Sequence, residues 1–286
     1  METLHLTNYQ RNRFPLSAFR TDSHTNHPPH SHDFTELILV FAGMGIHVGI
    51  DGKYSFKGGD VFVIEPGAIH SYRAIEGVSL VNIMYDAKRL YLPEHYFRQL
   101  PGYHALFHLE PRVKHKKGSS NLRLNEADLK RVEVLTGSLL HELKQRPTGY
   151  EAMSVAILIE LIVFLSRRVE GTTDTRWQNV QTIGKALSHI EKHFAEQLTL
   201  EDFARQAGMS VRNFQRRFKE AVGVTPFQRL LEIRIDRAKA LLQAPELSIT
   251  EIAFLIGFQD SNYFCRQFRK LEGVSPSKYR SFSQNG

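Results

Sequence analysis

From Phe34 to Met84 short apolar stretches alternate with glycine-bearing breaks, a rhythm of strands and tight turns. The segments Glu36–Phe41, Ile46–Ile50, Lys53–Phe56, Asp60–Ile64, Ser71–Ala74 and Ser79–Met84 read as strands. Between them, Gly43-Met44-Gly45, Asp51-Gly52, Gly58-Gly59 and Pro66-Gly67 suit turns that need positive φ. Many short, evenly spaced strands predict an antiparallel barrel or jelly roll, in which closure removes exposed edges. Asp86 to Asn125 has no clear period and carries a basic loop from Arg112 to Lys117. Asn125 then suits an N-cap, and Leu129, Val132, Leu135, Leu139 and Leu143 make one face of a helix. Pro147-Thr148-Gly149 breaks it, and Glu151–Arg168 follows as a helix apolar nearly all round. Such a pair serves either as packing or as a dimer surface. Gly171 to Thr175 reads as linker.

The last third repeats itself. Ala204-Arg205-Gln206-Ala207-Gly208 is answered by Ala253-Phe254-Leu255-Ile256-Gly257, an offset of 49 (204 to 253). Past the turn the offset is 50: Phe218 matches Phe268, and Gly223-Val224-Thr225-Pro226 matches Gly273-Val274-Ser275-Pro276. A one-residue slip at the turn is what two helix-turn-helix units with different turns produce. In the first unit Thr199 suits a cap, Gly208 the turn and Ser210 the next cap, with Phe214 and Phe218 one turn apart facing inward. Arg212, Asn213, Gln215, Arg216 and Lys219 are then left for DNA. In the second unit Thr250 or Ser248 caps Ile249–Ile256, Gly257 turns the chain, and Phe264 and Phe268 anchor the next helix. Ser261, Asn262, Arg266 and Arg269 fall outward. Arg can grip guanine O6/N7 and Gln adenine N6/N7, each worth about 1–3 kcal/mol of base discrimination. A long helix over Phe227–Gln243 joins the units.

Composition adds location and charge. At 286 residues there is room for two cores; 42% apolar and 23% charged residues are ordinary for a globular chain. One cysteine, Cys265, rules out an internal disulfide framework and fits a reducing cytosol, where its thiol is more simply a packed group than a redox switch. The apolar run Val155–Leu165 is broken by Glu160 and shorter than the roughly 20 residues of a spanning helix, and no secretory h-region opens the chain. A cytoplasmic protein without membrane contact is expected. Residues 176–286 hold 17 Lys+Arg against 11 Asp+Glu, and residues 1–175 hold 20 against 19. The excess sits on the repeat, as phosphate binding requires.

With these residues in view, 183–281 resembles the two-helix-turn-helix domain of AraC/XylS transcription regulators. The resemblance is carried by Ile249-Thr250-Glu251-Ile252-Ala253, Gly257-Phe258, Asp260-Ser261, Tyr263-Phe264, Phe268-Arg269-Lys270, Gly273, Ser275-Pro276 and Tyr279-Arg280. It implies base contacts from Arg212, Gln215 and Arg216 in one reader and Ser261, Asn262 and Arg266 in the other. It also implies an activator that touches RNA polymerase.

His30-Ser31-His32-Asp33-Phe34-Thr35-Glu36 with Gly43, and Gly59-Asp60 through Pro66-Gly67-Ala68-Ile69-His70, resemble the two cupin motifs. Glu65 stands where a proline is usual, and the final Asn is absent. Pro29 to Phe34 with Gly45-Ile46-His47-Val48 is similar to the rhamnose-activator branch of the family. His30, His32, Glu36 and His70 suit a divalent metal, or the hydrogen bonding of a polar ligand, or an internally satisfied cluster. Period-two alternation would put 30, 32 and 36 on one strand face. Tyr54, Tyr72, Arg73 and Asn82 are further candidates for lining an effector pocket. The expected fold is α+β: a cupin-like β-barrel (1–125), a dimerising helical pair (126–170), a linker (171–180) and an all-α tandem reader (181–286). The expected function is a homodimeric DNA-binding regulator, without obligatory cofactor, switched by a small effector such as a sugar. Two alternatives stay open: a metal-dependent cupin enzyme joined to a DNA reader, and a regulator needing no ligand.

Overall fold

The computed structural model describes residues 2–9, 13–22, 26–49, 52–112, 122–172 and 175–284. The chain divides into two compact units, Met1–Gly184 and Lys185–Gly286. Among the described residues no helix is long and apolar enough to cross a membrane.

The first unit is built on eight strands: β1 (Glu2–Leu4), β2 (Leu16–Thr21), β3 (His27–His32), β4 (Thr35–Gly49), β5 (Gly52–Lys57), β6 (Asp60–Ile64), β7 (His70–Tyr85) and β8 (Leu122–Arg123). They form one sheet, ordered β1-β3-β7-β4-β6-β8, with β2 also on β7 and β5 also on β4. This sheet curls into a half-barrel, so the architecture is α+β. One expected turn and one expected break between strands are absent. Gly43-Met44-Gly45 lies inside β4, and the gap between Ala74 and Ser79 lies inside β7. The two long strands pair along their length through bulges between Val40 and Gly45. Gly43 takes φ +78° there, and a Cβ on it would collide with the Glu76 and Gly77 carbonyls. A bulge glycine and a turn glycine look alike in sequence. Ile50 and Asp51, of an expected strand end and turn, fall outside the described residues, as do positions 113–117 of the basic loop.

Short helices α1 (Glu94–Phe97) and α2 (Pro101–Tyr103) and a π-helical turn, His104–Leu109, lead to the long pair α3 (Glu126–Gln145) and α4 (Tyr150–Gly171). Asn125 caps α3 as expected, accepting from Asp128 N at 2.9 Å. Val132 and Leu139 of α3 and Leu158, Leu161 and Leu165 of α4 are fully sealed. The expected linker, 171–180, is a correction: Gly171 ends α4, and α5 (Thr175–His193) starts within it and buries Trp177 to 1%. The run of Thr and Gly suggested flexibility, but the large apolar indole gives the segment something to bury.

The second unit comprises the rest of α5, α6 (Leu200–Gln206), α7 (Val211–Val222), α8 (Pro226–Leu241), α9 (Ile249–Leu255), α10 (Ser261–Glu272) and α11 (Pro276–Gln284). Thr199 makes a capping box with Asp202, and Ser248, not Thr250, makes one with Glu251. The repeated Gly-Val-[Thr/Ser]-Pro cassette now has a physical account. Gly223 and Gly273 end their helices in the left-handed region, Thr225 caps the next helix, and Pro226 and Pro276 occupy the first helical position.

Candidate functional site

The chemistry-bearing residues of the first unit face the hollow of the curled sheet. Along β7 the even positions point inward: Tyr72, Val78 and Leu80 share a cluster with Ile38, Val40, Phe56, Phe62 and Ile64. Glu36 precedes Ile38 and Val40 on the same face of β4. The β4 bulge then flips parity, so past it His47, opposite Tyr72, faces in. The sequence does not single out His47: with Gly43-Met44-Gly45 read as a turn, nothing ties the face of Ile46–Ile50 to that of Glu36, whereas β4 runs continuously through both. Even parity on β7 also settles Arg73: it stands exposed, outside the hollow, and does not line it. Tyr54, opposite His47 on β5, is partly buried with its ring 6.2 Å from the imidazole.

His32 and Glu36 are not on one strand, as the alternation implied. His32 ends β3 and Glu36 lies in β4; the chain bends between them at Asp33, whose carboxylate accepts from Leu6 N at 2.9 Å. His70 opens β7. Across this bend the Nε2 atoms of His32 and His70 each come within 3.2 Å of Glu36 Oε2, and all three residues are buried. His32 Nδ1 donates to the Phe34 carbonyl at 2.7 Å, and His70 Nδ1 to the Ala68 carbonyl at 3.2 Å. A carbonyl only accepts, so each ring keeps a proton on Nδ1, and its Nε2 can donate to Glu36 only as an imidazolium. Neither Nε2 makes a hydrogen bond among the described residues.

Glu36 Oε1 accepts from Asn82, and Oε2 is 3.5 Å from the Tyr72 hydroxyl. Burial pushes the Glu36 carboxyl up, but the two imidazoles outweigh it and hold the group well below the usual carboxylate range. Burial, with His70 close by acting in the same direction, lowers His47 to about 4, against an upward pull from Glu36. His30 is buried beside the trio rather than in it. Its ring centroid is 4.2 Å from that of His70, and its Nδ1 donates to the Pro28 carbonyl at 2.9 Å. The free space against His30, His32, Glu36, Tyr72 and Asn82 is about 50 Å³. Sites for organic ligands run to roughly 300–1,000 Å³. These residues therefore converge, but on a space the size of an ion or a water molecule rather than a sugar.

A cleft of about 600 Å³ lies elsewhere in the first unit, between β2 and the α3–α4 pair. Leu16, Leu140, Leu143 and Tyr150 give it an apolar floor, while Arg20, Lys144 and Arg146 supply its charge. Arg20 is engaged by Asp22 and Glu133, and Arg146 lies 5.7 Å over the Tyr150 ring. Among the described residues no acidic side chain lines the cleft.

In the second unit, Phe214 and Phe218 of α7 and Phe264 and Phe268 of α10 are fully buried. Arg212, Gln215, Arg216 and Lys219 are consequently exposed on α7, and Asn262, Arg266 and Arg269 on α10. Ser261 is half-buried at the start of α10, behind its cap Asp260. Asn213 is half-buried too, and its Oδ1 accepts from Arg216 Nη2 at 3.1 Å and Arg217 Nε at 3.3 Å, holding Arg216 from behind. Arg216 also reaches Glu220 at 2.9 Å, and Arg266 stands 5.8 Å over the Tyr263 ring. Other arginines serve the fold: Arg234 donates to the Phe194 and Glu196 carbonyls, and Arg280 to those of Leu242 and Leu247. Ser210 occupies its N-cap position without a side-chain bond.

The family described as "Helix-turn-helix domain" matches residues 203–281, and that described as "AraC-like ligand binding domain" matches 16–91. The chain is 32% identical to the "HTH-type transcriptional activator RhaS" of Salmonella arizonae, over 94% of this chain and 90% of that one. It belongs to the AraC family. Another family member, the "HTH-type transcriptional activator RhaR" of Mannheimia succiniciproducens, is 28% identical over 93% of this chain and 92% of its own. Among solved structures, the DNA-binding domain of AdpA in complex with a target DNA is similar at 32% identity. That match covers 36% of this chain and 94% of that one, with a TM-score of 0.35. Membership places the chain among helix-turn-helix regulators and separates it from metal-dependent enzymes.

Proposed function

We propose that this AraC-family chain is a sequence-specific transcription activator of the RhaR/RhaS kind, switched by a small polar effector. One observation carries the DNA reading: two matched helices, α7 and α10, each bury a Phe pair and leave a basic, polar face free. The relatives' names supply the sign of regulation. In this reading Arg212, Gln215, Arg216, Ser261, Asn262 and Arg266 meet bases, Lys219 and Arg269 meet phosphates, and Asn213 positions Arg216. The chain acts in the cytoplasm as a homodimer, and bound activator contacts RNA polymerase.

The effector is a monosaccharide or, better, a sugar acid. Its site is the cleft at β2, α3 and α4, because that cleft has the volume and a one-signed charge, whereas the space beside His32 has neither. Effector binding favours the DNA-competent state by its differential affinity for that state.

The test is a thermal-shift panel of neutral sugars, aldonates and uronates on the full chain, with Lys144→Ala beside it. An acidic sugar that raises wild-type melting and fails with the variant supports the cleft. A panel without any response sinks the effector reading, and absence of binding to the chain's own promoter region sinks the DNA reading.

A further inference from the structure

We propose that Glu220 sets the base selectivity of the first reader by holding Arg216 away from phosphate. The inference rests on the reading of α7 as a base-contacting helix and deepens it. Glu220 lies one turn beyond Arg216, exposed on the side of α7 away from the buried Phe218. Arg216 Nη1 donates to both of its carboxylate oxygens, at 2.9 and 3.1 Å, and Nη2 donates to Asn213 Oδ1 at 3.1 Å. Partners on both terminal nitrogens fix the plane of the guanidinium. At most three of its five N–H donors are spent in this way, so two stay available for guanine O6 and N7.

Helix stability does not explain the carboxylate. Glu220 stands third from the end of α7, where the helix dipole disfavours negative charge. An exposed ion pair adds little to folding, and arginine before glutamate is the weaker order for a pair one turn apart. On a face that meets phosphates, a negative charge also weakens binding to every sequence. What remains is its hold on Arg216.

An unrestrained arginine beside DNA can settle on the nearest phosphate, whatever the sequence. On non-cognate DNA, Glu220 competes with that phosphate for the same donors and keeps Arg216 in place. On the cognate site the guanine takes the donors that Glu220 and Asn213 leave, so the clamp survives binding. Affinity is lowered everywhere, but least where the guanine is present. The second reader is built differently. The offset of 50 pairs Arg216 with Arg266, Asn213 with Tyr263 and Glu220 with Lys270. Arg266 lies 5.8 Å over the Tyr263 ring and 4.0 Å from Asp260, so an aromatic face orients it while position 270 adds positive charge. The first reader is thus tuned for selectivity and the second for affinity.

The test compares full-length wild type with Glu220→Gln, Glu220→Ala, Arg216→Ala and the double variant Arg216→Ala/Glu220→Gln. Anisotropy of a promoter fragment, its single-base variants and an unrelated duplex, across a salt series, gives affinity, base preference and salt slope. Glu220→Gln should bind the unrelated duplex roughly 3–10-fold tighter, with a salt slope steeper by about one, as Arg216 moves to a phosphate. Preference at the base pair that Arg216→Ala relaxes should fall by roughly tenfold. Glu220→Ala should do the same. In the double variant, base preference should be the one that Arg216→Ala sets alone. Neither Glu220 variant should melt lower than wild type, which separates the clamp from a role in folding.

Tighter binding of every duplex by one common factor overturns the proposal, because the carboxylate then acts as a repelling charge alone. Unchanged binding overturns it as well. If Arg216→Ala leaves every base preference intact, the base-contact reading itself falls, and the clamp with it. If Arg216→Ala relaxes one preference and Glu220→Gln does not, only the clamp falls.

Discussion

Residues with the same chemistry do different jobs here, and burial sorts them. Arg234 and Arg280 close helix ends through backbone carbonyls, while Arg216 and Arg266 stand exposed on the readers. If the faces are assigned correctly, Arg216→Ala and Arg266→Ala each cost about 1–3 kcal/mol against the preferred base only and relax preference at that position. Lys219→Ala should instead weaken all sequences alike and flatten the salt dependence by about one unit of slope. Binding of a promoter fragment and its single-base variants by fluorescence anisotropy, across a salt series, separates the two patterns. Uniform weakening by both arginine changes would show that they touch phosphate.

Cys265 makes a second residue-scale case. Burial, with Asp260 nearby, pushes its thiol up, so little thiolate exists near neutrality. Alkylation by iodoacetamide at pH 7.5 should run slower than that of a free thiol and accelerate only in alkaline solution. Fast neutral labelling, with loss of DNA binding, would restore the redox switch. At this scale the sequence disclosed His32, Glu36, His70, Tyr72 and Asn82. It hid His47 and misplaced Arg73, because a side chain's face depends on counting through a bulge that leaves no unique signature.

Elements were legible where a local rule fixes both ends. The caps Asn125, Thr199 and Ser248, and the Gly-Val-[Thr/Ser]-Pro cassettes, placed helices to within a residue or two. The short strands β1, β2 and β3 do not stand out in the sequence: His27–His32 holds two prolines and three histidines, and it pairs on both sides, with β1 and β7. α5 was misread for the reverse reason, since its polar start hides one decisive indole.

The two turn glycines give a prediction at this scale. Gly208 and Gly257 both sit at positive φ, +60° and +89°, so alanine costs about 1–2 kcal/mol at either. A Cβ at Gly208 meets nothing within 4 Å, whereas at Gly257 it comes within 2.5 Å of the Ala195 carbonyl. That crowding adds roughly 1–3 kcal/mol. Denaturant unfolding followed through the second unit should therefore show Gly257→Ala as clearly the more damaging of the pair. Equal losses would mean that backbone strain alone matters there.

For the molecule as a whole, the question is whether the two readers act as one instrument. α8 runs 16 residues between them, about 24 Å of continuous helix, capped by Thr225 and opened by Pro226. It buries Leu230, Ile233, Ile235 and Ala238, and its flanks are pinned by Arg234 to Phe194 and Glu196 and by Arg280 to Leu242 and Leu247. A spacer so fixed cannot follow its target if the two half-sites move apart. Inserting five base pairs between the half-sites should cut affinity toward that of one reader, a loss on the order of 10²–10⁴-fold. Inserting ten restores the helical face yet lengthens the span by roughly 34 Å, and it should cost as much. A flexible connection would instead recover at ten. Footprinting at both half-sites on the three operators decides it: recovery at ten would mean that α8 bends or melts when DNA binds. The full penalty at both insertions would make the separation of the readers a property written into one helix.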